Sequence, residues 1–189
     1  MTTYSGAEQN AHEQRSAVLV IILTLIALFA GWGVKSVVTG ATNTLVHDNV
    51  TVEAPAGWLV QDGAGELVMV IRNPGALDEL YRVSLLPGAA DLETVANERY
   101  FFRSQQEALF EVLEMTPIVF DGRDGFKASY AFADGENPGQ PIIVEGVEYY
   151  FPQGDTLLVV SFEADSDAFA ADLPAFQQFL RSITVDNGG

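Results

Sequence analysis

The sequence predicts an α+β domain, an antiparallel sheet covered by helices, preceded by one transmembrane helix. Three observations carry this. A single uncharged apolar run, AVLVIILTLIALFAGWGV, spans Ala17 to Val34 between Arg15 and Lys35. Beyond it, strand-like segments follow one another with turn signals between them and only two helical stretches, a pattern of strands in sequence rather than strand–helix alternation. Removing the first 40 of 189 residues leaves the length of one domain, and 48% apolar residues supply a core. The chain divides into a polar tail (1–15), a transmembrane helix (16–38), a linker (39–48) and a soluble domain (49–186).

Eighteen uncharged residues are near the lower limit for a helix that crosses a bilayer. At about 1.5 Å per residue the run covers roughly 27 Å, and Val37 and Val38 extend it if Lys35 snorkels. Positions suited to signal cleavage are poor: Leu28/Ala30 fits badly and Val38/Gly40 is only tolerable. The run therefore reads as an uncleaved anchor. Ala27, Ala30, Gly31 and Gly33 allow another helix to approach closely, with Ala27 and Gly31 at small-xxx-small spacing. Trp32 suits the outer membrane–water interface. The short polar lead and an acidic domain favour a cytoplasmic N-terminus in the cell membrane and an extracytoplasmic domain, periplasmic or on the outer face.

Val50 and Val52 alternate with polar neighbours as a first strand, broken at Pro55 and Gly57. Leu67 to Ile71 is continuously apolar, a strand buried on both faces. Asn73-Pro-Gly75 is a turn, and Tyr81 to Leu86 a third strand closed by Pro87-Gly88. Asp91 is a good helix N-cap, and Leu92, Val95, Ala96, Arg99, Phe102 and Arg103 fall on one side of that helix. Val112 to Phe120 is a strand whose Pro117 suits an edge or a bulge. Asp121-Gly-Arg-Asp-Gly125 turns into Phe126, Ala128, Tyr130 and Phe132, which share a face. Ile142 to Phe151 and Leu157 to Phe162 form another hairpin. A last helix from about Asp172 carries the stripe Phe169, Leu173, Phe176, Leu180 and Ile183, with Pro174 in its first turn.

The order of these signals resembles the PsbP-like superfamily, which includes the extrinsic photosystem II subunit, DcrB-like envelope proteins and a Ran-binding import factor. The residues that carry the resemblance are Pro55-Ala-Gly-Trp58, the hairpin at Asp121-Gly-Arg123, Leu158 to Phe162, and the closing Phe179-Leu-Arg-Ser-Ile183. It covers roughly residues 45–185. The resemblance implies an α+β sheet, and a binding, assembly or accessory role rather than an enzymatic one.

Charge and chemistry narrow the function classes. The tail and apolar run hold two acidic and two basic residues, so the net charge of −17 falls on residues 41–189, with 24 acidic and seven basic. Such a domain repels nucleic acid and anionic lipid headgroups and suits basic protein surfaces or cations. There is no cysteine, and the two histidines, His12 and His47, lie in the tail and the linker. Thiol and Ser–His chemistry therefore have neither nucleophile nor base in the domain. Asp121/Asp124 and Asp165/Asp167 are the densest carboxylate pairs. They suit hard cations, but also a hairpin turn and a helix lead-in. Tyr149-Tyr-Phe151 places aromatics on both faces of a strand. In Tyr100-Phe-Phe102, Phe101 points off the helix stripe and is expected to be exposed or to touch another chain.

Together these readings lead to an expected function. It is a non-catalytic, single-pass, membrane-anchored accessory or assembly subunit of a larger membrane complex, an electron-transfer complex (respiratory or photosynthetic) being the leading host. No cofactor, metal or catalytic residue is expected. The partners are other membrane-protein subunits and the lipid bilayer, not nucleic acid. The alternative is a membrane-tethered extracytoplasmic module that binds a small ligand or cation in a pocket lined by tyrosines.

Overall fold

The computed structural model describes residues 18–31, 41–76, 78–88, 91–134 and 141–186. The chain divides into two compact units, Met1–Ala41 and Thr42–Gly189. In the first, residues 18–31 form helix α1. Its large apolar side chains from Val18 to Phe29 stand 48–71% exposed around its whole girth. The Thr24 hydroxyl is satisfied by donating to the Val20 carbonyl at 2.9 Å. The flanks of the expected 16–38 span, with Trp32 and Gly33, lie outside the described residues. No helix among the described residues is long and apolar enough to cross a membrane.

The second unit is built on two antiparallel sheets. Its strands are β1 (Thr42–His47), β2 (Val50–Pro55), β3 (Leu59–Asp62), β4 (Leu67–Arg72) and β5 (Leu80–Pro87), then β6 (Ala108–Phe120), β7 (Arg123–Asp134), β8 (Ile142–Gln153), β9 (Thr156–Asp165) and β10 (Thr184–Val185). Helices α2 (Leu92–Gln106) and α3 (Ser166–Ser182) complete it. The large sheet has the order β3-β4-β5-β9-β8-β7-β6, and the small one β1-β2-β10. The late strand β9 thus sits at the centre, joining two meanders through its pairing with β5 (Leu80↔Glu163 to Pro87↔Thr156). The β6–β7 hairpin turns at Asp121 (φ 51°) and Gly122 (φ 75°). These are the two left-handed residues that a twisted hairpin favours, and the reason for Asp-Gly there.

Several expectations change. Residues 42–47, read as linker, are a strand, because β1 runs antiparallel to β2 from Thr42↔Pro55 to His47↔Val50. Its Thr- and Asn-rich sequence lacks a buried face, so only backbone pairing reveals it. The four residues of β3 are likewise all exposed. Helix α3 starts at Ser166, six residues before the expected Asp172, capped by the Asp165 carboxylate that accepts from the Asp167 N–H at 2.9 Å. Pro174 therefore lies inside the helix rather than in its first turn, where it removes a backbone donor.

Each face of the large sheet has its own core. On one side, α3 and β2 pack Phe176, Phe179, Leu180, Val50 and Val52 against Tyr81, Tyr149, Phe151 and Phe162. On the other, α2 places Ala96 and Tyr100 over Phe126, Ala128, Tyr130 and Tyr150. The Tyr149-Tyr-Phe151 run is split between the two, as strand alternation requires. Phe102 is not on the buried side of α2. It is 63% exposed, while Tyr100 is buried against Phe110 and Tyr130 at ring distances of 5.7 and 5.4 Å.

Candidate functional site

The face of α2 that meets the sheet reads Ala96, Arg99, Tyr100, Arg103 at helical spacing. Two of the four are charged, and apolar burial alone does not hold this helix. Strands β8 and β9 answer with Glu148 and Glu163, 2% and 4% exposed. One oxygen, Glu163 Oε1, accepts from Arg82 Nη1 at 2.7 Å, Arg103 Nη2 at 2.8 Å and the Tyr130 hydroxyl at 2.7 Å. Arg103 also donates to Glu107 Oε1 through Nε (2.9 Å) and Nη2 (2.7 Å). Glu148 accepts from Arg99 Nη2 and Nε at 3.3 and 3.4 Å and from the Tyr150 hydroxyl, and lies 3.7 Å from Arg103 Nη1. The Arg103 guanidinium is stacked 4.1 Å over the Tyr130 ring. The same ring lies against Gly146, where a Cβ would come within 2.2 Å of it.

Burial and charge pull the network in opposite directions. Burial alone would raise the Glu163 carboxyl, but Arg82 and Arg103 hold it below the ordinary carboxylate value. Glu107 goes the other way: burial raises its carboxyl despite its contact with Arg103. Burial would lower the Arg99 and Arg103 guanidinium groups; Glu148 reverses this for Arg99, and Tyr130 with Glu163 for Arg103. Burial also drives the Tyr130 phenol well above its usual range, helped by Glu163. Three arginines and three glutamates are thereby matched. Removing one partner from a buried network of this kind leaves the other charge uncompensated.

Beside the network a cleft of about 480 Å³ opens on the same face. Arg72, Arg82, Asp78, Glu107, Asp134 and Glu163 provide its charges, and Leu80, Phe132, Ile142 and Val144 its apolar wall. No tyrosine lines it, contrary to the pocket expected from the sequence; Tyr149 instead borders a groove of about 140 Å³ with Leu113, Val147, Phe169 and Leu173. On the α3 face a depression of about 420 Å³ gathers Asp78, Glu79, Asp165, Asp167 and Asp172. Asp78 and Asp165 are spent on structure: the Asp78 carboxylate accepts the Asp165 N–H at 3.0 Å, and Asp165 caps α3. Glu79 accepts from Asn73 Nδ2, yet burial, with Asp172 and Asp78 nearby, still raises its carboxyl. Among the described residues no group of three or more such side chains is arranged to hold a metal ion.

The residues singled out in the sequence are distributed as follows. Ala27, Ala30 and Gly31 lie on α1, and the backbone at Gly31 is open to any neighbour. Phe101 is 64% exposed on α2, edge-on to Phe102 at 5.8 Å. Asp121 forms its hairpin turn. Glu148, Glu163 and Arg82 were missed. The signal was present: two arginines four apart on a sheet-facing helix stripe demand buried carboxylates, and Glu148 and Glu163 are the acids at inward positions of otherwise apolar strands.

No protein-family model matches the chain, and no curated protein does. Solved structures do match. The solution structure of cyanobacterial PsbP (CyanoP) from Synechocystis sp. PCC 6803 has a TM-score of 0.60 at 16% identity, over 77% of this chain and 92% of that one. The Saccharomyces cerevisiae Ran-binding protein Mog1p has a TM-score of 0.52 at 15% identity, over 77% and 96%. A Bacteroides thetaiotaomicron protein has a TM-score of 0.53 at 11% identity, over 80% of this chain and 50% of that one. At these identities the likeness is one of architecture, and the architecture of the domain is PsbP-like.

Proposed function

We propose that the protein is a non-catalytic, single-pass membrane-anchored accessory or assembly subunit of a larger membrane complex. The observation that carries the reading is α1, whose apolar side chains stand exposed on every side. A helix that is apolar all round needs lipid or other helices about it. Ala27, Ala30, Gly31 and Gly33 would then pack against neighbouring helices, with Trp32 at the interface and the acidic domain on the extracytoplasmic side. The buried carboxylates Glu148 and Glu163 are committed to arginines of the same domain, which suits a scaffold. The resemblance to the PsbP-like superfamily supports an electron-transfer host. The test is extraction in a mild detergent followed by native electrophoresis: migration with a larger assembly is expected, and migration as a free monomer overturns the reading.

The cleft beside Arg82 favours a second reading, a tethered module for a small ligand or cation. A ligand that binds only the folded state raises its melting temperature. A thermal-shift screen with calcium and small amines and acids separates the two readings, since a scaffold shows no shift.

A further inference from the structure

We infer that the bulged start of β6 is a docking strip for a basic segment of another protein. The inference deepens the subunit reading and rests on it only in that the domain binds a protein. Strand β6 ends the large sheet, so its outer edge has no strand neighbour among the described residues. Within its first seven residues the register shifts twice, between Ala108 and Glu111 and between Val112 and Glu114. Leu109, at the first shift, is held at φ 54° and is 82% exposed. A left-handed backbone is strained at a leucine, whose Cβ crowds the following carbonyl oxygen. Here that strain turns an apolar side chain out into water rather than into a core. Bulges re-aim side chains at functional edges, and backbone strain collects where function needs it.

The surroundings extend the strip. Val112 and Leu113 are 40% and 54% exposed. Phe110 contacts Tyr100 at 5.7 Å and Arg103 at 5.5 Å, bringing the C-terminal half of α2 alongside β6. That half of the helix carries the exposed Phe101 and Phe102.

Charge selects the occupant. The strip's apolar groups are interspersed with Glu111 and Glu114, both exposed, and the half-buried Lys127 is already paired to Glu114 at 2.6 Å. A second copy would bring the same carboxylates to the same place, and an anionic membrane surface would be repelled. A segment of another protein with Lys or Arg around an apolar side chain is complementary in both respects.

The full-length chain in its native membrane, carrying a photo-crosslinking phenylalanine analogue at Leu109, tests this, with Val46 on β1 as the control position. The expected result is one protein adduct at position 109 and none at 46. The crosslinked peptide places Lys or Arg beside an apolar residue, and Glu111→Lys with Glu114→Lys lowers the yield about tenfold. A homodimer, a lipid adduct, no adduct, or an adduct indifferent to the charge reversal overturns the inference. Leu109→Gly is the second variant. Glycine accepts φ 54° without strain, so its melting temperature rises while its fraction migrating with the larger assembly falls. A rise in melting temperature with migration intact also overturns the inference. If the unmodified chain migrates with a larger assembly but position 109 gives no adduct, the strip is wrong and the subunit reading stands. If the unmodified chain runs as a monomer, the subunit reading itself fails.

Discussion

Glu163→Gln is the most informative single perturbation. It keeps the shape and removes the charge that one oxygen offers to Arg82, Arg103 and Tyr130 at 2.7–2.8 Å. Breaking a buried pair by deleting one partner costs about 3–5 kcal/mol, because the other charge stays buried. Two features place the cost near the lower end of that range. Arg82 is 35% exposed, and Arg103 retains Glu107 at 2.7 Å. For a domain of this size each kcal/mol corresponds to roughly 2–4 °C, so the melting temperature falls by about 6–12 °C at pH 7. The pH dependence separates charge from packing. The folded Glu163 carboxyl lies below its unfolded value of 4.5, so its stabilising effect is fully present above pH 4.5 and is lost as pH falls through the folded value. The gap between wild type and Glu163→Gln, measured by urea denaturation from pH 7 to pH 3, therefore narrows below pH 4.5. A gap that stays constant down to pH 3, or a variant as stable as wild type at pH 7, refutes the electrostatic account.

Three further outcomes follow from the same geometry. Gly146→Ala forces a Cβ to within 2.2 Å of the Tyr130 ring; overpacking of this kind costs about 1–3 kcal/mol, read as a lower urea midpoint with an unchanged m-value. Tyr81→Phe removes a buried hydroxyl that has no hydrogen-bond partner, so calorimetry is expected to find the variant as stable as wild type or up to about 1 kcal/mol more stable. The raised Glu79 carboxyl favours the fold at low pH and loses that contribution as pH rises through its folded value. Asp172→Asn removes one cause of the shift, and carboxyl NMR titration of Glu79 should show the midpoint move down toward 4.5.

Much of the domain was legible in its periodicity. The clean alternation of Phe126 to Phe132, the stripe from Phe169 to Ile183 and the Asp121-Gly122 turn each fix a local conformation and a buried face at once. What stayed hidden lacked a side-chain signal. β1 and β3 are held by backbone pairing, with side chains left largely in water. The early start of α3 depends on the Asp165 cap rather than on apolar spacing. The expected face of α2 holds at Leu92, Val95, Ala96, Arg99 and Arg103 and fails at Phe102, whose place toward the sheet goes to Tyr100, while Arg99 and Arg103 are drawn inward by Glu148 and Glu163. That network was the least legible part, since its members come from β5, α2, β7, β8 and β9 and meet only in the folded sheet.

The central position of β9 also governs how the chain acquires its structure. The meander from β3 to β5 and the one from β6 to β9 are each assembled from neighbours, but the seam between them pairs Leu80 with Glu163. Closing so long a loop is costly in entropy and slow. As the chain emerges from the ribosome, the edge of β5 remains open until residues 156–165 arrive, and an open apolar edge is where nascent chains aggregate. The seam is thus the last part of the sheet to form and the step at which a chaperone has most to protect.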